Sequence, residues 1–157
     1  MDFTTSTFQT LLESLQQQGF SFQTFAEYIE QQKEKTVILR HDVDRLPYNA
    51  LKTAQIENES GIKGSYYFRI IPESFNETVI KKIAGLGHEI GYHYEDLTIS
   101  KGNIDKAYDS FCGNLEKLQK LYSVKTICMH GSPRSKYDNK DIWQKYDYKK
   151  LGLIGEP

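Results

Sequence analysis

In VILRHDVDRLP, residues 37–47, Arg40, His41, Asp42 and Asp44 stand together directly after an apolar run. Two carboxylates this close repel and raise one pKa unless a cation lies between or beside them. A divalent metal, or Arg40, would relieve that repulsion. The pattern recurs downstream: His93 and Glu95 end the stretch GHEIGYHYE, and His130 ends KTICMH. Mixed histidine nitrogen and carboxylate oxygen donors with an open position suit Zn²⁺ first and other divalent transition metals second. Such an ion lowers the pKa of bound water toward about 7 and polarises a carbonyl. A carboxylate that is not a ligand then serves as general base.

Residues this far apart in sequence meet only if the fold gathers them. From Thr36 onward, short apolar runs (about Thr36–His41, Gly64–Arg69, His88–His93 and Lys125–His130) alternate with amphipathic helices near Pro47–Ser60, Glu73–Leu86 and Asn103–Tyr122. Strand-helix alternation with short connections implies parallel strands and an α/β fold. In such sheets ligands bind beyond the carboxyl ends of the strands. That rule puts Asp42, Asp44, Arg69, His93, Glu95 and His130 on one rim. Side-chain alternation sends Arg40, Asp42 and Asp44 to one face and His41 to the other, toward the helices. His88 and His93 fall on opposite faces, so His88, at the wrong end of its strand, is expected to be a structural histidine bonded to backbone.

Ahead of this region two helices, one carrying Phe8, Leu11, Leu12 and Leu15 and one over about Thr24–Gln32, form an expected N-terminal extension over residues 1–34. After His130 a polar, turn-rich stretch leads to a short helix near Asp141–Tyr146 and a strand start at Leu151–Ile154. Residues 1–157 are read as one domain, with 35–157 as the β/α units. Four or five strands are too few to close an eight-stranded barrel.

Blander readings compete with the chemical ones. An Asp pair before Pro47 also suits a helix N-terminus, and the eleven tyrosines are by default core and rim packing. Tyr94 and Tyr137 are placed above that default, as substrate contacts, for their nearness to the rim motifs. Cys128 and Met129 are expected in the strand core. No Gly-x-Gly-x-x-Gly, P-loop or Gly-x-Ser-x-Gly elbow occurs. With 20 basic and 21 acidic residues and a formal charge of −1, no basic face is available for nucleic acid or an anionic membrane. The two cysteines are isolated, no signal peptide is legible, and no apolar run is long enough to span a bilayer, so a soluble cytoplasmic protein is expected. Nothing in the sequence sets an oligomeric state.

The combination of RHDVD, YYFRI and GHEIGYH resembles the polysaccharide deacetylases of the NodB-homology type, in particular the branch whose first motif reads His-Asp-Val-Asp. The resemblance covers about Thr36–Pro133. It implies a distorted (β/α) barrel, a divalent metal, and removal of acetyl groups from a sugar or glycan. By the family's motifs, Asp42 is the general base, Asp44 a metal ligand and His93 the first histidine of a His-x-x-x-His pair. The second histidine falls at position 97, which is Leu. His130 is the preferred substitute ligand and Glu95 the other, Arg134 is expected to orient the base, and Arg40 to balance its charge. The family's Leu-x-His has no counterpart before Pro157, so the chain reads as C-terminally incomplete. The alternatives are a carbohydrate-binding or structural relative without a complete site, and a metal phosphoesterase.

Overall fold

A computed structural model describes residues 4–157. The first helix, α1 (Thr5–Gln17), is capped by the Thr4 side chain, which accepts from the Thr7 N–H. Thr24 and Glu27 form a reciprocal capping box at the start of α2 (Phe25–Glu30). Between them the chain lays down β1 (Ser21–Phe22), which pairs in parallel with β2 (Thr36–Val37). The extension is therefore not purely helical. The expected single strand over Thr36–His41 is split, because the chain changes neighbours. Val37 bonds toward β1, whereas the Leu39 carbonyl accepts from Ser65 at the edge of the main sheet.

That sheet holds β3 (Arg40–Val43), β4 (Ser65–Phe68), β5 (Glu89–Tyr94) and β6 (Ile127–Met129), all parallel and in chain order. It curls into a half-barrel. The crossovers are α3 (Pro47–Glu59), α4 (Glu77–Gly85) and, between β5 and β6, α5 (Asp96–Ile99) with α6 (Ile104–Gln119). α4 begins four residues later than its sequence pattern predicts. Asn76 caps it by accepting from Val79, while Ser74 is held away by its bond to the Val43 carbonyl. α5 is not foreseen by the sequence pattern, and the helix expected at Asp141–Tyr146 is a 3-10 turn over Asn139–Gln144. Beyond β6, Thr126 and Gly155 form a parallel bridge, so the segment after Leu151 takes the next place in the sheet.

Alternation divides the strands cleanly. Tyr66, Phe68, Ile90, Tyr92, Tyr94 and Ile127 face the helices and pack with Ile80, Ile83, Phe111 and Leu118 in the hydrophobic core. The concave face carries small and polar residues. Gly91 lies under the Tyr67 ring, where a Cβ would sit 2.3 Å from a ring carbon, and the Tyr67 hydroxyl meets Thr126 Oγ1 at 2.9 Å. At the amino end of this face the buried Glu89 accepts from Ser65, Thr126 and the Ala26 N–H, fastening α2 beneath the sheet. At the carboxyl end are Asp42, His93 and Cys128.

Candidate metal centre

β3 and β5 deliver the first residues of the site. Asp42 is on the concave face of β3, and Arg40, two residues earlier on the same face, donates to its Oδ2 at 2.7 Å. His93 is on the concave face of β5 and 3 % exposed. Its Nδ1 lies 2.9 Å from the Cys128 carbonyl oxygen. A carbonyl only accepts, so Nδ1 carries the hydrogen and Nε2 presents a lone pair to the rim. Burial, the largest influence, pushes His93 below its ordinary value against the pull of Asp42, which keeps the ring neutral, as a metal ligand must be.

His130 follows β6. Its N–H donates to the Tyr94 carbonyl, extending the ladder by one bond, and its carbonyl accepts from the buried Asn139 side chain. Its Nδ1 sits 3.2 Å from His93 Nε2, the two rings meeting edge to face. Asp44 lies just past β3, where the chain bends. Its Oδ1 is 3.2 Å from His130 Nδ1, 3.7 Å from His93 Nε2 and 3.8 Å from an Arg69 nitrogen. This oxygen is buried and accepts no hydrogen bond, alone in that respect among the described residues. Leaving a buried carboxylate oxygen unpartnered costs about 1–3 kcal/mol or more. Asp44, His93 and His130 therefore form a donor set in which one oxygen and the two nitrogens nearest to it converge. The set has the donor chemistry to hold a divalent metal ion.

A second group, Asp42, His93 and Cys128, shares His93. It is the poorer donor set. Arg40 already engages Asp42, and burial, reinforced by the charge of Asp42, pushes the Cys128 thiol up to about 12, whereas only a thiolate binds metal well. Cys128 is buried in its strand, as expected from sequence, and its Sγ also lies 3.9 Å from Asp42 Oδ1 at the rim.

Several expected site residues take other roles. Glu95 does not join the ligands. β5 ends at Tyr94, the backbone turns at Glu95 into α5, and the carboxylate is bound by Arg69 through two nitrogens. Tyr94 faces the helices, fully buried, donating to Glu156 and accepting from Trp143 at 2.8 Å each; it has no surface to offer a substrate. The Tyr137 ring closes over Gly102 instead of lining the rim. Arg134 does not orient Asp42, a place Arg40 fills. Leu97 is 2 % exposed and belongs to the core, so a histidine there would point away from the rim. Arg69, placed at the rim by the strand rule with no role assigned from sequence, holds Glu95 and sits 3.8 Å from Asp44 Oδ1. Its signal was an arginine ending the apolar run SYYF. Asn139 carried no signal at all.

His41 and His88 are structural, as their parity suggested. His41 Nε2 is 2.6 Å from Glu57 Oε1, with its ring stacked on Tyr66. His88 Nδ1 accepts from the Gly64 N–H, and its Nε2 donates to the Ala54 carbonyl.

The chain matches no protein-family model and no curated protein sequence.

Proposed function

We propose that this chain is a metal-dependent hydrolase of the polysaccharide-deacetylase kind, removing acetyl groups from a sugar or a related amide or ester. Its curled sheet then corresponds to part of that family's distorted (β/α) barrel. The observation that carries the reading is the buried, unpartnered Oδ1 of Asp44 opposite two histidine nitrogens, beside an aspartate that another group already holds. Asp44, His93 and His130 are the residues to bind zinc. The ion contributes Lewis acidity toward a carbonyl and toward water.

The chain's own residues divide the remaining work. Arg40 fixes Asp42 through Oδ2, which leaves Oδ1 directed into the cleft as the proton acceptor for an attacking water. The oxygen of that water bonds to the acetyl carbon, the C–N or C–O bond breaks, the proton taken by Asp42 passes to the departing nitrogen or oxygen, and acetate and the free amine or hydroxyl are released. The Cys128 carbonyl holds His93 in its tautomer, and Asn139 holds the His130 loop. The adjoining cleft, about 450 Å³, has room for a sugar ring. The two unpaired cysteines agree with action in a reducing compartment such as the cytoplasm.

Metal analysis of the purified chain tests the proposal. About one equivalent of zinc per chain is expected, with a rise in melting temperature on loading. Asp44→Ala and His93→Ala should each abolish both effects. Protein that binds no divalent metal, or whose metal content neither substitution changes, overturns the reading. Leu97 in the core, where the resemblance places a ligand, favours a second reading, a sugar-binding scaffold without catalysis. Sugar binding that survives both substitutions, with no acetate released, is the outcome that belongs to it.

A further inference from the structure

The chain contains four arginines: Arg45, Arg69 and Arg134 follow the carboxyl ends of strands, and Arg40 opens β3 and reaches along its concave face to Asp42. Two of them hold carboxylates: Arg40 binds Asp42, and Arg69 binds Glu95 and lies 3.8 Å from Asp44 without a hydrogen bond to it. The other two, Arg45 and Arg134, form no ion pair among the described residues. Both line a cleft of about 510 Å³ that meets the metal centre at His130. Glu95 is the only acid in its wall, and Arg69 already claims it. Two free guanidiniums thus face a space without an opposing charge.

The backbone around them is strained. Leu46, next to Arg45, has φ +55° with two-thirds of its surface exposed, and Ser132, two residues before Arg134, has φ +36°. These are two of the four non-glycine residues in the left-handed region among those described. Such strain persists where surrounding structure imposes it, and it concentrates at ligand clamps and active sites. Arginine rather than lysine at both positions suits planar, two-pronged binding of carboxylate or phosphate.

Resting on the hydrolase reading above, the geometry points to a substrate that is itself an anion. A carboxylate or phosphate on the sugar is bound by Arg45 and Arg134 in this cleft, and its acetyl group reaches the neighbouring cleft past His130. The two arginines are specificity residues. Neither touches the group that reacts.

Calorimetric titration of the zinc-loaded chain with N-acetylglucosamine, N-acetylglucosamine 6-phosphate and N-acetylneuraminic acid tests this. At least one of the two anionic sugars should bind about tenfold or more tightly than the neutral one. The difference should shrink as salt is raised. The better of the two anions identifies the charged group as phosphate or carboxylate. In the Arg45→Gln/Arg134→Gln variant the preference should vanish while zinc content stays at its original level. Equal affinities for all three sugars, no binding of any of them, or a preference that persists in the double variant would overturn the inference. Zinc content distinguishes this failure from that of the hydrolase reading: a chain that holds zinc through Asp44 and His93 but ignores charge refutes only the anionic substrate.

Discussion

Asp42 and Asp44 are two residues apart and meet different partners, and the proposed division of base and ligand rests on that difference. Asp42 is still on the strand, its outer oxygen taken by Arg40. Asp44 has left the strand, and its inner oxygen faces two imidazoles with no hydrogen bond to either. Removing the basicity of Asp42 while keeping its shape should therefore stop turnover without emptying the metal centre. For Asp42→Asn we expect kcat for acetate release to fall about 10²- to 10⁴-fold, with zinc content unchanged. Loss of zinc in that variant would make Asp42 a ligand, and unchanged turnover would remove it from the mechanism.

At the scale of the element, β5 does most to build the site, because its two faces do unlike things. Ile90, Tyr92 and Tyr94 lock it to the helices. Glu89, Gly91 and His93 run up the concave side, as a buried carboxylate at the amino end, a gap in the middle and a ligand at the rim. The gap is essential: a Cβ at Gly91 would lie 2.3 Å from the Tyr67 ring and 2.8 Å from the Thr126 carbonyl oxygen. Backbone and a buried ring cannot both move aside. Gly91→Ala should cost about 1–3 kcal/mol by overpacking, read from the shift in the urea midpoint, and should lower zinc affinity by displacing His93 two residues on. A midpoint equal to the original would show that the sheet opens at no cost.

Across the whole molecule, a buried polar network that bears on stability lies behind the sheet, away from the rim. Glu57, fully buried in α3, binds His41 and Tyr66, and His88 joins Gly64 to Ala54 beside them. Burial holds His88 below its ordinary 6.5. The sign follows: the folded chain keeps the ring neutral while the unfolded chain protonates it near 6.5. The stability linked to His88 is complete above that pH and is lost as pH falls from there toward the lower folded value. Buried Asp96 and half-buried Glu156, both raised by burial, act in the opposite direction, gaining protons in the folded state first. Comparing variants isolates the histidine. Between pH about 7 and about 5.5, the urea midpoint should fall more for the original chain than for His88→Gln, which keeps a donor and an acceptor but cannot titrate. Parallel pH profiles would assign the acid sensitivity elsewhere. No helix among the described residues is long and apolar enough to cross a membrane.

The sequence by itself determined the α/β alternation, the rim position of Asp42, Asp44, His93 and His130, and the structural part played by His88, because period and parity are local properties of the chain. It also placed Arg40 beside Asp42, two residues being one repeat of a strand. Only the tertiary structure decided which carboxylate is free. Glu95 and Asp44 both follow strands, yet Arg69, just past β4, hydrogen-bonds Glu95 and comes only within 3.8 Å of Asp44, whose Oδ1 accepts no hydrogen bond. Tyr94 was misplaced at the rim because nearness in sequence to His93 says nothing about which face a neighbour takes. Parity turned Tyr94 inward, and Trp143 and Glu156, about 50 and 60 residues away, closed over it. Contacts of that range depend on how the sheet curls and which loop covers it, and no short stretch of sequence encodes either.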